Sequence, residues 1–324
     1  CFEYVCCNNN EDYVSHLPVT VDGSCNGLQH FSAMLRDDIG GAATNLINHE
    51  QPEDIYEIVR REAENGMVLD NNPEFNIWGS GGCLSRALVK RPVMTTPYGA
   101  TLYGMRDQIH EELKKQLDKG VVFPGIDSST DMWPHCKYLA FHIYEAIGRV
   151  VISSRLGMKW LQDVAKASNK LKRPIYWTLP TGFVVKQKYI RSIVKEVKTI
   201  INGRMASLYA GSSDAEKMHN FRQVNGIAPN FVHSLDACHL MKTIVSARDN
   251  HGIESFAVVH DSFGTHACDI EQLGTVLRET FVDLYKEDIL KKFMEQQGDL
   301  DLPSLPEYGK LNIEEVKDAE FFFS

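Results

Sequence analysis

Two aspartates at the ends of apolar, strand-like stretches are the residues best suited to chemistry in this sequence. Asp22 follows "LPVTV" and precedes Gly23, and Asp261 lies within "AVVHDSFG". A carboxylate in such surroundings is costly to keep charged unless a cation lies against it. If the two strand ends meet, the carboxylates repel each other, and a shared proton or a divalent metal relieves the repulsion.

Mg²⁺ suits such a pair, because it binds carboxylates, backbone carbonyls, water and substrate phosphates. Gly23 would let a backbone carbonyl approach the ion. Two ions held in this way can activate a 3′-hydroxyl and neutralise a leaving pyrophosphate. Either aspartate alone is more simply explained as a turn residue, so the pair becomes persuasive only with the cationic segment between them.

That segment, "LSRALVKRPVMTTPYG", begins as a helix that carries Arg86 and Lys90 one turn apart. Two cations at this spacing make a clamp for a triphosphate, and Tyr98 supplies a flat ring that can stack on a base. Cations at this spacing are also common on plain helix surfaces. Because Pro92 and Pro97 interrupt the segment, we expect the helix either to kink near Lys90 or to end before Tyr98.

The elements around these residues mix helices and strands without a regular alternation, which predicts an α+β fold. "LPVTVDGS" is expected to be a strand, and "SFAVVHDSFGTHA" a tight hairpin with His260 and Asp261 at its turn. The helix that begins near Gly27 is expected to stop at Gly40-Gly41. A second helix is expected to begin with Pro229 in its first turn and to end at Gly252.

Composition narrows the classes of protein. The 324 residues are 43% hydrophobic, which is enough for a sizeable core. The sequence contains no run of eighteen apolar residues, so it predicts no membrane-spanning helix. The net charge of −9 argues against a simple nucleic-acid binder. The stretch from Arg155 to Arg204 nevertheless holds twelve Lys and Arg against Asp163 and Glu196, so a polyanionic partner stays possible beside the simpler reading of a solvated face.

The eight cysteines form no Cys-x-x-Cys spacing and the twelve histidines form no metal motif, which favours free thiols in a reducing compartment. No signal peptide is recognisable, and the chain begins with Cys1. We therefore expect it to be a piece of a longer protein or a processed product.

Three segments in this order, "DGSCNGLQHFSAMLRD", "RALVKRPVMTTPYG" and "VVHDSFG", resemble motifs A, B and C of the single-subunit RNA polymerases of bacteriophages and mitochondria. "CFEY", "GIAPNFVHSLDACHL" and the aromatic end "EFFFS" resemble the same family, with the phage branch favoured. The resemblance implies a right-hand polymerase that is helix-rich and has an antiparallel palm sheet. It also implies a division of the chain into four regions. Residues 1–60 would form the part of the palm with motif A, and residues 61–135 the part of the fingers with motif B. Residues 136–225 would hold the rest of the fingers and the specificity hairpin, and residues 226–324 the part of the palm with motif C and the C-terminal segment.

The resemblance also assigns residues. Asp22 and Asp261 match the two metal-binding catalytic carboxylates of the family, and Gly23 matches its metal-facing carbonyl, which implies two Mg²⁺ ions. The remaining matches concern the incoming nucleotide: Arg86 and Lys90 for the triphosphate, Tyr98 for the ring that closes on it, His233 near the ribose, and Tyr56 near the site. His260 is expected to be structural support.

Gly27 bears on the choice of sugar. Related DNA polymerases have a glutamate five residues after the motif A aspartate, where it closes against a 2′-hydroxyl. Gly27 leaves room there, and Tyr98 and His233 are placed to recognise that hydroxyl, which predicts use of ribonucleotides. A reverse transcriptase would be expected to have paired aspartates where this chain has "HDS".

The implied partners are template and promoter DNA, nascent RNA and ribonucleoside triphosphates. Residues 182–209 match the family's promoter-reading hairpin. The N-terminal domain and thumb are expected to be absent, so the chain would need an upstream polypeptide for activity. The implied location is the cytoplasm of an infected bacterium or a virion, with the mitochondrial matrix less favoured.

Two alternatives come from other classes of function. The first is a catalytically silent nucleic-acid-binding remnant, which the basic stretch would serve. The second is a metal-dependent nuclease or phosphatase, which would also use paired aspartates. Neither needs Arg86, Lys90 and Tyr98 together, so the polymerase interpretation is preferred.

Overall fold

The structure is a computed structural model that describes residues 14–127 and 129–324. The opening "CFEY" and the thiols Cys1, Cys6 and Cys7 lie outside the described residues. The described cysteines are all free, as the sequence predicts, and three of them are buried.

Helices dominate the described part of the chain. The α-helices are α1 Asn26–Leu35, α2 Asp38–Ala43, α3 Ile55–Asp70, α4 Arg86–Thr95, α5 Leu102–Asp118, α6 Trp133–Val150, α7 Ile152–Lys170, α8 Asn220–His251, α9 Ile270–Tyr285 and α10 Ile289–Gln296. The strands are β1 Val19–Asp22, β2 Ile175–Thr178, β3 Val184–Gln187, β4 Ile190–Ile201, β5 Arg204–Met218, β6 Ala257–Val259 and β7 Ser262–Thr265. Every strand pairing is antiparallel, which confirms a mixed α+β fold with small sheets.

The three-stranded sheet, in the order β1-β7-β6, joins the two ends of the chain. β6 and β7 form the expected tight hairpin, and β1 pairs with β7 so that Asp22 lies opposite Ser262. His260 adopts a φ of 54° at the turn, a left-handed conformation that few residues with a Cβ adopt. The sheet therefore brings the end of β1, at Asp22, beside the turn that carries Asp261 and leads into β7.

Two hydrophobic cores share α1, whose earlier part contributes to one and whose later part contributes to the other. One is built mainly from α3 to α6 and includes Leu28, Val59 and Ile143. The other gathers α7 to α10 and the aromatic end of the chain, and it includes Phe31 and Phe281. All ten residues of α1 are buried, because its apolar residues face both cores.

Gly40 and Gly41 do not end the first helix, so that expectation was wrong. α1 ends at Leu35, where Arg36 turns left-handed with φ 57°, and the two glycines lie inside α2. A Cβ at Gly40 would lie 2.6 Å from Asp37 Oδ2. Glycine is needed there because Asp37 folds back to cap α2 through a 3.0 Å hydrogen bond from the Gly40 amide.

Pro229 does not begin its helix, so that expectation was also wrong. α8 begins nine residues earlier at Asn220 and runs through Pro229, while its end at Gly252 is confirmed. Because proline has no backbone N–H, it cannot donate the helical hydrogen bond to the carbonyl four residues earlier in the chain. That carbonyl, on Asn225, lies 3.5 Å from where a Gly99 Cβ would be, so another segment covers the interrupted turn.

A long two-stranded hairpin, β4–β5, extends from the rest of the molecule. Its turn residues Asn202 and Gly203 both have positive φ, 51° and 77°, as in a type I′ turn. Apolar side chains such as Ile200 and Met205 are 69% and 77% exposed near the tip. The ladder starts eight residues after Gly182 and continues past Tyr209 to Met218, so it is displaced relative to the predicted hairpin.

Within the described part of the chain, no helix is both long enough and apolar enough to cross a membrane.

Candidate active site

Asp22 and Asp261 meet at one end of the three-stranded sheet. The Gly23 amide donates a hydrogen bond of 3.4 Å to the Asp261 carbonyl, which ties the two strand ends together. Both aspartates line one cavity of about 800 Å³. Six of the residues singled out in the sequence share this cavity: Asp22, Gly23, Tyr56, Arg86, Lys90 and Asp261.

Electrostatics at the aspartate pair favour a cation. Burial raises the pKa of the Asp261 carboxyl above its usual value, and the negative charge of Asp22 raises it further. A positive ion between the two groups would lower the free energy of the doubly ionised state. The Asp261 carboxyl is therefore harder to ionise than a solvated aspartate, and a bound cation would favour its charged form.

Gly23 occupies a tight loop between β1 and α1. Its carbonyl accepts a 2.8 Å hydrogen bond from the Cys25 amide and keeps a second lone pair for another partner. Cys25 has a φ of 101°, a left-handed conformation that turns the chain sharply into the helix. Backbone hydrogen bonds of 3.2 and 3.1 Å join Asp22 to Ser324, which also lines the cavity.

The oxygen donors present fit magnesium. No three His, Cys, Asp or Glu side chains lie close enough to hold a metal anywhere in residues 14–127 and 129–324. An ion held by Asp22 and Asp261 would therefore complete its shell with a carbonyl, water or substrate phosphates. That is the mixture of ligands Mg²⁺ ordinarily takes.

The cationic wall of the cavity comes from the first turns of α4. The Arg86 guanidinium carbon lies 4.9 Å from the centre of the Tyr56 ring, and the Lys90 ammonium lies 5.8 Å from the same centre. Cations over an aromatic face are attracted to the negative potential of the ring. Arg86 and Lys90 are both exposed, so their charges face the cavity and remain available to an anion.

Asp54 positions Arg86, and the sequence motifs do not point to it. Its Oδ1 accepts a hydrogen bond from the Tyr56 amide at the start of α3, and its Oδ2 accepts one of 2.5 Å from Arg86 Nε. This bond raises the pKa of the Arg86 guanidinium. The N-cap position of Asp54 before "IYEIV" was visible in the sequence, but its partner thirty-two residues away was not.

Tyr98 and His233 form a stacked pair beside the aspartates. Their ring centres lie 4.5 Å apart with planes 12° from parallel. Burial raises the pKa of the Tyr98 hydroxyl, and the charges of Asp236 and Asp261 raise it further. Burial lowers the pKa of the His233 imidazole, and His260 adds to this effect. Neither ring lines the cavity itself, but both are adjacent to its carboxylate end.

Gly27 lies directly behind Tyr98. A Cβ on Gly27 would be 2.6 Å from Pro97 Cγ and 3.0 Å from the Tyr98 ring. The space that the missing side chain leaves is therefore filled by Pro97 and Tyr98. Gly27, Tyr98 and His233 form one continuous wall, which we call the ring wall.

The proline-containing helix follows one of the two expected courses. α4 includes Pro92 and ends at Thr95, and a short 3₁₀ turn over Thr96–Tyr98 then carries Tyr98 towards α8. Thr96 Oγ1 donates a 2.8 Å hydrogen bond to the Pro92 carbonyl and helps to close the last turn. The helix thus ends before Tyr98.

A larger groove of about 1040 Å³ lies between α8 and α9, where it is lined by residues such as Lys242, Val245 and Asp283. None of the residues singled out in the sequence lines it. Size alone does not identify the functional site, and the smaller cavity is preferred because it holds the paired carboxylates and the cations.

Nearly the whole chain is similar in sequence to known proteins. Residues 1–299 match the sequence model of the family described as DNA-dependent RNA polymerase. T7 RNA polymerase of Escherichia phage T7 is 35% identical over all of this chain and 42% of its own length. The mitochondrial DNA-directed RNA polymerase 1B of Nicotiana tabacum is 36% identical over 97% of this chain.

The length covered differs among the relatives. The chain spans 31% of the mitochondrial relative but 96% of a third one, DNA-directed RNA polymerase 2A of Nicotiana tabacum, which is 36% identical over 99% of this chain. The chain thus spans about a third of the mitochondrial enzyme and less than half of the phage enzyme.

Proposed function

The chain belongs to the DNA-dependent RNA polymerase family, and on that premise we propose that it is the catalytic C-terminal part of a phage-type enzyme that synthesises RNA on a DNA template. The observation that carries the proposal is the cavity in which Asp22 and Asp261 face Arg86 and Lys90. Paired carboxylates opposite paired cations suit a substrate with a triphosphate and a reacting hydroxyl.

The proposed reaction is nucleotidyl transfer. The 3′-oxygen of the RNA attacks the α-phosphorus of a ribonucleoside triphosphate, a new P–O bond forms, and the bond to pyrophosphate breaks. Two Mg²⁺ ions, held by Asp22, Asp261 and the Gly23 carbonyl, would supply activation of the hydroxyl and charge neutralisation. Arg86 and Lys90 would bind the β- and γ-phosphates, with Tyr56 and Asp54 fixing their positions.

Sugar recognition is proposed for the ring wall. The Tyr98 hydroxyl and the His233 imidazole are the polar groups of that wall, and a 2′-hydroxyl can both donate to and accept from such groups. Since burial keeps Tyr98 and His233 uncharged, they would discriminate by hydrogen bonding instead of by charge.

The proposed architecture is a palm of residues 1–60 and 226–324 and fingers of residues 61–225, with promoter recognition by β4–β5. Its support is the order of the three motif segments and the family whose sequence model matches residues 1–299. The proposed partners are promoter and template DNA, nascent RNA and an upstream polymerase segment. The proposed location is an infected bacterial cytoplasm or a virion, with the mitochondrial matrix less favoured.

The test is RNA primer extension on a preassembled DNA–RNA scaffold, which removes the need for a promoter. The chain would be combined with the upstream portion of its own polymerase and supplied with Mg²⁺ and either ribo- or deoxyribonucleotides. We expect the unmodified protein to extend the primer with ribonucleotides and Asp261→Asn to lose this activity by several orders of magnitude.

The control is Asp249→Asn, an exposed carboxylate on α8 paired with Arg248, which should extend like the unmodified protein. Tight scaffold binding without extension by the unmodified protein would refute the proposal and favour the silent nucleic-acid-binding remnant.

A further inference from the structure

Asp236 is a buried carboxyl group that the proposed reaction does not use. It lies on α8 one turn after His233 and is only 5% exposed. Its Oδ1 accepts a 2.7 Å hydrogen bond from Nδ2 of Asn26, on the first turn of α1. This bond connects the helix that follows Asp22 with the helix that carries His233.

Only the nitrogen of the Asn26 side-chain amide has a hydrogen-bond partner. Its Oδ1 is buried and has no hydrogen-bond partner among the described residues. A buried amide oxygen without a donor costs about 1–3 kcal/mol, so such atoms are uncommon in folded proteins. The nearest chemical remedy is a proton on Asp236, because a neutral carboxylic acid can donate to the amide oxygen while it accepts from the amide nitrogen.

The groups that face Asp236 favour its protonated form up to about pH 6. The pKa of Asp236 is raised to about 6, and burial is the largest cause. The Asn26 hydrogen bond lowers this pKa, the charge of Asp261 raises it, and the charge of His260 lowers it. The other titratable groups near it are the Tyr98 and Tyr285 hydroxyls, both of whose pKa values are raised by burial. His30, one turn along α1 from Asn26, has its pKa lowered by burial, so it places no cation there.

We propose that Asp236 is a positioning residue which, as a neutral acid, forms a reciprocal pair of hydrogen bonds with the Asn26 amide. The pair holds the first turn of α1 against α8. Gly27 follows Asn26 directly, and His233 lies one turn before Asp236, so the pair fixes both ends of the ring wall. This role rests on the proposed function, because the ring wall is where a ribose would be recognised.

The first experiment needs no catalysis. The protonated form of Asp236 is favoured in the folded state, so the contribution of this group to the stability of the wild-type protein should be lost as the pH rises from about 4 through about 6. Asp236→Asn keeps a reciprocal amide–amide pair at every pH and avoids that loss. Its melting temperature should equal that of wild type near about pH 4 and exceed it by several degrees above about pH 7.

The control for this series is Asp249→Asn, on the same helix but exposed and paired with Arg248. That exchange removes a carboxylate whose pKa is lowered, so it should give no gain at high pH. A difference between Asp236→Asn and wild type that does not change with pH would overturn the pairing.

The second experiment measures nucleotide incorporation on the scaffold at about pH 5.5, below the pKa of Asp236, where the neutral acid predominates. Asp236→Asn should keep kcat and KM within about threefold, whereas Asp236→Leu should raise the ribonucleotide KM about tenfold or more and reduce the preference over deoxyribonucleotides. If Asp236→Asn is as harmful as Asp236→Leu, the working form is the charged carboxylate and the proposal is wrong. Absence of extension by wild type would refute the polymerase function instead, while the pH series would still test the pair.

Discussion

The guanidinium of Arg86 is held from two sides, by the Asp54 carboxylate and by the face of Tyr56. Neither contact uses all of its donors, and the side chain remains 46% exposed towards the cavity. At the scale of single residues, this arrangement orients a cation without neutralising it completely. A triphosphate entering the cavity would meet a preorganised charge, which lowers the entropy cost of binding it.

Replacing Arg86 with alanine is expected to raise the KM for ribonucleoside triphosphates by about 10- to 100-fold. The reason is that a hydrogen bond to a charged group contributes about 1.5–3 kcal/mol. Steady-state incorporation on the scaffold measures the change. Arg91→Ala is the matched control, because Arg91 is on the same helix but pairs with Glu111 on α5. Equal losses in both variants would show that the effect comes from α4 as a whole.

Several residues singled out where motif and chemistry coincide lie together in the structure, while their roles stay predictions. The aspartate pair, Gly23, Arg86 and Lys90 were all identified from sequence and line one cavity. Asp54 and Asp236 were not, because their importance comes from partners 32 and 210 positions away. An aspartate before a helix or within one has no local signature that separates a cap or a solvated residue from a member of the site.

At the scale of elements, close packing between α1 and the 3₁₀ turn over Thr96–Tyr98 determines where the ring wall stands. Gly27 is the contact point, since its missing side chain admits Pro97. Sequence reasoning assigned Gly27 an open space for a sugar hydroxyl. The space is filled instead, because the turn after α4 packs against α1 and not away from it.

Gly27→Ala is expected to destabilise the protein by about 1–3 kcal/mol and to raise the KM for ribonucleotides, because a Cβ forces Pro97 and Tyr98 to move. Thermal unfolding and scaffold extension measure the two effects. Gly104→Ala is the control: its Cβ would meet only Thr101 Oγ1 at 3.5 Å, so it should stabilise α5 by about 0.5–1 kcal/mol. A fully active, fully stable Gly27→Ala variant would contradict the packing argument.

The β4–β5 hairpin can be shortened at its tip without changing the register in which the two strands pair. Thr199 pairs with Ala206 two rungs from the turn, so replacing residues 200–205 with Asn-Gly keeps the hydrogen-bonding phase and leaves the ladder below them intact. We expect promoter-directed initiation to fall about tenfold or more, since base contacts contribute about 1–3 kcal/mol each. Scaffold extension should stay within about twofold. A comparable loss in both assays would mean that the hairpin supports the catalytic site and not promoter reading.

Element boundaries were predicted least well where glycine and proline act through tertiary contacts. Gly40 and Gly41 resemble a helix stop but admit Asp37 and Leu311 at close range. Pro229 resembles a helix start, but the carbonyl that it leaves without a helical partner lies against Gly99. In contrast, the β6–β7 hairpin was predicted correctly, because its turn is determined by residues adjacent in sequence.

At the scale of the whole molecule, α1 connects the two cores and directly follows the loop that carries Asp22 and Gly23. Leu28 is fully buried in one core and Phe31, less than one turn away, is fully buried in the other. Movement of one core relative to the other would therefore have to move α1 and, with it, the loop that carries Asp22 and Gly23. Sequence periodicity predicted this helix but not that it faces two cores.

Leu28→Ala is expected to cost about 2–5 kcal/mol and Phe31→Ala about 3–5 kcal/mol. Because one rigid helix serves both cores, each variant should lower the same single unfolding transition. Calorimetry and denaturant titration measure this. Two separate transitions, each sensitive to only one of the variants, would show that the cores unfold independently.

The contact of Gly27 with Pro97 and Tyr98 also limits how this protein can diverge. A side chain added at position 27 would collide with the ring of Pro97. A larger residue at position 27 therefore becomes tolerable only after the turn at 97–98 has changed. Among related sequences, positions 27, 97 and 98 should therefore change together, whereas position 104 should vary alone. A descendant lineage that acquired a different sugar preference would have to pass through at least two coordinated substitutions.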